Sequence, residues 1–323
     1  MVFPGKFTDQ LIADRLDRVS LSFLVDTLHV RRGGVAANIA FGLAALGLTP
    51  VLAGAAGKDF ADYGVWLRGH GVDTDSVRIS ESRHTARFVC TTDAEQNQIA
   101  TFYAGAMAEA REISLAPVAE RCGTPGLVVV AHNDPEAMLR HTDECRRGGI
   151  PFAADPSQQL ARLSREETRR LVDGAQYLFT NEYEAALLQE RGGWAQDEVL
   201  RHTATWITTR GSAGVEIAQA GREPLHISAV PVDTAVDPTG VGDAFRAGFL
   251  AGTSWHWPFS RAARLGCALA TVVLESVGTQ EYAITADALL QHIGRAYGPA
   301  AADEIAPGIR AAVRARDIAG AVA

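Results

Sequence analysis

The sequence predicts an α/β fold, with a mostly parallel central sheet, helices on both faces and a small β layer at one edge. Short apolar runs at 51–55, 127–131, 151–154, 177–180 and 206–209 have the length of buried strands. Between them lie helically periodic segments that begin at Ile39, Phe60, Pro135, Arg165 and Glu182. Strands that alternate with helices pair in parallel through crossovers, which covers both sheet faces and leaves ligands to bind beyond the carboxyl ends of the strands. With 323 residues, 47% hydrophobic and 21% charged, the chain can fill one large domain over 1–323.

Two segments break the βα rhythm. Residues 20–32 and 85–107 alternate apolar and polar side chains and are rich in β-formers, Arg87-Phe88-Val89-Cys90-Thr91-Thr92 being the clearest case. They are expected to form hairpin strands outside the main sheet, a small β layer covering one edge of the site as a lid. After Pro307 the chain is rich in alanine and is expected to fray.

The turns carry the chemistry. Gly33-Gly34-Val35-Ala36-Ala37-Asn38 opens a helix stopped by Gly47. Its paired glycines allow backbone to approach a polyol, and Asn38 offers a donor and an acceptor to neighbouring hydroxyls. The same residues also serve as a plain Gly-rich turn. Asn181-Glu182-Tyr183-Glu184 follows the run at 177–180. There Glu184 suits Mg2+ held through water and Asn181 suits nucleotide phosphates, though the two residues are equally spaced for an ordinary capping box. Thr209-Arg210-Gly211-Ser212-Ala213-Gly214 follows the run at 206–209, where its donors suit distal phosphates or form a ligand-free hairpin loop.

Asp237-Pro238-Thr239-Gly240-Val241-Gly242-Asp243 says most. It sets a Gly-x-Gly turn and a carboxylate at the entry to an apolar helix that Gly252 is expected to close. A helix N-terminus leaves N–H groups unpaired and carries partial positive charge, so Gly240, Val241 and Gly242 make a cradle for a transferred phosphate. Asp243 stands where it can accept the proton of an attacking hydroxyl. A tight turn with a capping aspartate uses the same residues.

Charge and cysteine content narrow the partners. A net charge of -8 without a basic stripe argues against nucleic acid and anionic membranes. The four cysteines form no Cys-x-x-Cys pair and suggest neither a zinc site nor a disulfide framework. With no signal peptide and no bilayer-length apolar run in the sequence, a cytoplasmic protein is expected.

Gly-Gly-x-x-x-Asn, Asn-x-x-Glu, Thr-x-Gly-x-x-Gly and Asp-x-Thr-Gly-x-Gly-Asp occur here in the order seen in the ribokinase-like (pfkB) family of sugar and nucleoside kinases, which the chain resembles over nearly its whole length. It is most similar to actinobacterial adenosine kinases, through Ser20-Leu21-Ser22-Phe23-Leu24-Val25, His84-Thr85-Ala86-Arg87-Phe88, the stretch from Ala154 to Arg162, and Thr279-Gln280-Glu281. The resemblance implies a three-layer α/β/α domain with a β-sheet lid, and ATP-dependent phosphorylation of the 5′-hydroxyl of adenosine to AMP. It implies Asp243 as base and the amides of Gly240, Val241 and Gly242 as anion hole. Gly34 and Asn38 match ribose-binding positions, and Ser22, Phe88, Phe102, Gln158, Gln159 and Arg162 match positions around the substrate pocket. Asn181, the turn from Thr209 to Gly214 and Gly242 match ATP-binding positions. Mg2+ is implied, as is K+ around Asp237, Thr239 and the segment 276–280, and so is a homodimer formed through the lid.

One departure affects the expected function. Family members begin with a sheet strand ending in an acidic residue that holds ribose hydroxyls, and only then reach a segment like Phe3-Pro4-Gly5-Lys6-Phe7. Here that segment follows Met1-Val2 directly. Either a start upstream of Met1 or a chain short of one strand and one ribose ligand is expected, the latter less stable and a poorer kinase. A kinase of a free sugar and a non-catalytic nucleoside-binding protein are the competing readings. A dehydrogenase is disfavoured, because no Gly-x-Gly-x-x-Gly follows an early strand.

Overall fold

The computed structural model describes residues 1–10, 20–95 and 97–322. The expected strands form. β5 (Val128–Val130), β6 (Phe152–Ala154), β7 (Tyr177–Asn181) and β8 (Trp206–Thr209) pair in parallel, and β9 (Val215–Ala218) and β10 (Leu225–Ile227) add antiparallel strands, in the order β10-β9-β8-β7-β6-β5. β1 (Val51–Gly57) and β2 (Asp73–Ser80) form a separate parallel pair, and no hydrogen-bonded ladder joins it to the six strands among the described residues. β2 escapes the apolar-run criterion because Asp-Thr-Asp-Ser-Val-Arg-Ile-Ser is mostly polar.

Strand alternation builds the layers. Phe152, Ala154, Leu178 and Trp206 point to one face and Ala153, Phe179 and Ile207 to the other, as a period of two requires. The first face packs on α4 (Pro135–Gly148), α5 (Arg165–Val172), α6 (Glu182–Gly192) and α7 (Gln196–His202). The second packs on α1 (Val35–Ala45), α8 (Val241–Ser254), α9 (Phe259–Leu274), α10 (Ala286–Tyr297) and α11 (Pro299–Val322), with α2 (Ala61–Gly69) beside them. α3 (Leu115–Cys122) lies between the strand pair and the main sheet in sequence.

Three expectations need correction. α8 does not close at Gly252 but runs to Ser254, because that glycine lies against α9, where a Cβ would come within 2.7 Å of Ala262 Cα. The chain does not fray at Pro307, which lies inside α11 between the fully buried Ile305 and Ile309. Packing there outweighs the lost N–H.

Residues 20–32 form no strand. The alternation is real, with Phe23, Val25 and Thr27 turned inward and Leu24 and Leu28 outward, but among the described residues its backbone pairing is a single bridge to Val2, whose N–H donates to the Thr27 carbonyl at 3.0 Å and whose carbonyl accepts from Asp26 N–H at 3.3 Å. Phe23 instead packs its ring, tilted, against Phe3 and Phe7, at centroid distances of 5.1 and 4.8 Å. The expected hairpin at 85–107 does form, as β3 (Arg87–Thr92) antiparallel to β4 (Gln98–Tyr103), with Phe88 directly opposite Phe102. Among the described residues no helix is long and apolar enough to cross a membrane.

Candidate active site

The site begins where α8 begins. Gly240 caps the helix at φ +80, a conformation that costs a side-chain-bearing residue about 1–2 kcal/mol. Val241 N–H reaches only the Pro238 carbonyl, at 3.4 Å. Gly242 and Asp243 follow in the first turn, where N–H groups have no intrahelical acceptor and the helix dipole favours an anion. Gly240 is also held by its neighbour, since a Cβ there would lie 2.9 Å from Thr279 Cγ2.

Asp243 is fixed from across the chain. Its Oδ2 accepts from Asn38 Nδ2 at 2.8 Å, Asn38 lying in the first turn of α1. Asn38 Oδ1 in turn accepts from Gln280 Nε2 at 2.9 Å, and the same Nε2 reaches the Tyr63 hydroxyl at 2.6 Å. The Tyr63 hydroxyl donates to the Gly33 carbonyl at 3.0 Å. This chain of bonds ties the Gly33-Gly34 turn, α1, α2 and the 276–280 segment to the carboxylate. Burial pushes the Asp243 carboxyl up to about 6, against the pull of Arg246 and of the Asn38 amide. It is therefore a stronger base than a solvated aspartate, yet still charged at neutral pH.

Asp237 stitches the loop before α8. Its Oδ1 accepts from Thr239 N–H at 2.9 Å and its Oδ2 from Gly278 N–H at 3.0 Å. Burial works to raise its pKa, but these bonds and Arg31 hold it below the usual carboxylate value. The two segments expected to bracket K+ are thus adjacent.

On the strand ends, β7 and β8 align Asn181 with Thr209, so Asn181 and the turn Thr209–Gly214 stand side by side. Arg210 N–H closes that turn on the Gly214 carbonyl at 2.8 Å, and its guanidinium reaches Glu182 at 3.0 Å and Glu216 at 3.2 Å. Gly211, Ser212 and Ala213 form one 3-10 turn.

Asn181 and Glu184 make a complete capping box, each side chain meeting the other's N–H at 2.8 Å, and Ser157 Oγ donates to Glu184 Oε1 at 3.2 Å. Both Glu184 oxygens thus have protein donors, which suits water-mediated contact with Mg2+ better than direct ligation. No group of three His, Cys, Asp or Glu is arranged for a metal among the described residues.

The remaining predicted residues are less tightly drawn in. Gln159 is buried and donates from Nε2 to the Asn133 carbonyl at 2.7 Å, while Gln158, Arg162 and Ser22 are exposed. Phe88 and Phe102 are 67% and 52% exposed, a pair of rings open to solvent. No sequence motif assigns a role to Tyr63 or Arg246. The usable signal for Arg246 is a lone cation inside the apolar run Ala244-Phe245-Arg246-Ala247.

The family profile "pfkB family carbohydrate kinase" matches residues 4–286. The chain belongs to the pfkB family of carbohydrate kinases. Among its relatives, a nucleoside kinase of Methanocaldococcus jannaschii is 27% identical over 263 residues, covering 81% of this chain and 85% of the relative. A nucleoside kinase of Methanothermobacter thermautotrophicus is 29% identical over 271 residues, covering 83% and 86%. The structure of a Burkholderia thailandensis nucleoside kinase in complex with inosine superposes with a TM-score of 0.81 at 31% identity, covering 92% of this chain and 95% of that one.

Proposed function

We propose that this pfkB kinase transfers the γ-phosphoryl group of ATP to the 5′-hydroxyl of a purine nucleoside, adenosine first among them, giving AMP and ADP. The observation that carries the reading is Asp243, held by Asn38 at the mouth of the α8 N-terminus, with a carboxyl raised to about 6. The relatives named as nucleoside kinases, and the neighbour bound to inosine, support a nucleoside acceptor over a free sugar.

The geometry divides the work. Gly34 and Asn38 receive the ribose, and the Asn38 amide turns Asp243 toward the 5′-hydroxyl. Asp243 is too weak a base to deprotonate an alcohol in advance, so it takes the proton late, as the loose transition state forms. The first-turn amides at Gly240 to Gly242 stabilise charge on the transferring oxygens. Asn181 and the turn from Thr209 to Gly214 receive the ATP phosphates. Glu184 would hold Mg2+ through water, where the ion would neutralise charge on those phosphates; Asp237 and Thr239, with 276–280, would hold K+. The β3–β4 hairpin serves as a lid of the one domain, Phe88 and Phe102 covering the purine, and its exposed apolar side chains pair with a second copy.

ADP release from Mg-ATP, measured with adenosine, inosine, ribose, fructose or no acceptor, tests the reading. Release that depends on a nucleoside supports it, and release only with a free sugar refutes it. Asp243→Asn is expected to bind nucleoside yet lose about 100-fold or more of turnover. Near-normal turnover would remove Asp243 from the base role.

A further inference from the structure

Arg246 is a cation in an apolar helix face, 8% exposed, and the chemistry above gives it no task. Its Nη2 donates to Oδ1 of the fully buried Asp155 at 2.7 Å. A buried ion pair seldom stabilises a fold more than apolar residues of the same volume, because desolvation offsets the attraction. This pair is also incompletely satisfied, since Asp155 Oδ2 and Arg246 Nε have no hydrogen-bond partner among the described residues. Stability is therefore a weak reason for its presence.

Its place suggests a better one. Asp155 directly follows β6, at the sheet end where the site lies. Arg246 is three residues beyond Asp243 on α8, so the two share one helix face. The guanidinium lies beneath the cradle, where a Cβ on Gly242 would come within 2.8 Å of its Nη1.

We propose that Arg246 is a positioning residue for phosphoryl transfer: anchored by Asp155 under the Gly242 turn, it supplies a fixed positive charge that keeps the Asp243 carboxylate ionised and reinforces the α8 N-terminus. The inference rests on Asp243 being the proton acceptor. Asp243 is faced by Asn38 from α1, Arg246 from its own helix, Asp155 from the end of β6 and Tyr282 from the segment after α9. Glu184 on α6 acts on Arg246, and Asp155 and Arg162 both act on His132. After burial, which raises the Asp243 carboxyl, Arg246 is the largest influence and lowers it, Asn38 lowers it further, and Asp155 raises it.

The two partners thus push in opposite directions, and the pH profile of kcat/KM for adenosine separates them. Asp155→Asn keeps the shape and removes only the anion, so the acid limb moves to lower pH. Arg246→Met combined with Asp155→Asn leaves no unpaired buried charge, and its limb moves to higher pH by about one unit. Arg246→Lys keeps the charge but loses the fork, so kcat falls while the limb stays near the wild-type position. Nucleoside binding and thermal unfolding report that each variant is folded, and if the paired variant does not fold, Asp155→Asn decides alone. A limb unmoved in Asp155→Asn, or moved the same way in both variants, overturns the proposal. Normal turnover in Asp243→Asn overturns the base assignment instead.

Discussion

Replacing Gly240 by alanine loads the cradle at a defined point. Its φ of +80 costs an alanine about 1–2 kcal/mol. The new methyl would also lie 2.9 Å from Thr279 Cγ2 and 3.0 Å from Thr279 Cβ, an overlap of the kind that costs about 1–3 kcal/mol in packed sites. Thr279 cannot simply rotate away, because its Oγ1 donates to the Arg32 carbonyl at 3.0 Å. Together the two effects amount to roughly 2–5 kcal/mol against the working loop conformation. Pro238 and Thr239 are exposed, so the strain is relieved by moving the loop and not by unfolding the domain. The expected result is a kcat/KM at least about 30-fold lower, with the melting temperature changed by only a few degrees. Thr279→Ser removes the methyl at the closest approach and spares the bond to Arg32, so Gly240→Ala with Thr279→Ser should recover part of the loss. Steady-state kinetics of both variants check this. A Gly240→Ala enzyme within about threefold of wild type would refute the cradle as drawn.

Other perturbations follow from the same geometry. Gly214→Ala would place a Cβ 2.0 Å from the Ile227 carbonyl oxygen at φ +95, so the turn at 209–214 must shift; with the proposed ATP-phosphate role of that turn, KM for ATP should rise about tenfold, as initial rates over ATP concentration will show. Gln280→Leu strips the donor shared by Asn38 and Tyr63, with an expected stability loss of about 1–3 kcal/mol by denaturant titration and a weaker nucleoside KM. The Asp243 carboxyl is raised from 3.8 to about 6, so its contribution to stability is complete below the lower value and lost as pH rises through the upper one. In the proposed base role Asp243 must be ionised, so kcat/KM should fall below about pH 6 while stability gains. Asp243→Asn should therefore melt higher than wild type at pH 8 and lose that advantage toward pH 4, which thermal unfolding across pH will test.

The sheet strands 127–131, 151–154, 177–180 and 206–209 were legible because buried strands and their crossovers leave short apolar runs separated by periodic segments. The 20–32 segment misled for a physical reason, since alternation records which side chains turn inward and not whether a partner strand exists. Gly252 misled because a glycine near a helix end also marks close helix packing, as it does against Ala262. In the candidate site, local motifs singled out Asn38, Asp243, Asn181 and the turn at 209–214, each from its own few residues. What they could not name is the wiring between them. Asn38 meets Asp243 across 205 positions, Gln280 meets Asn38 across 242, and Arg246 meets Asp155 across 91.

That wiring bears directly on how a carboxylate works at the mouth of a helix. On the proposed role of this turn, desolvation strengthens a cradle for a phosphoryl group, yet the same desolvation drives Asp243 toward the neutral form that cannot take a proton. A site built only from the motif at 237–243 would gain the first effect and suffer the second. Asn38 and Arg246 offset it from two elements, one by a hydrogen bond and one by charge, and Asp155 holds the Arg246 guanidinium by a hydrogen bond at 2.7 Å. On the proposed assignment, these long-range contacts let a buried base and an anion site share one turn of helix.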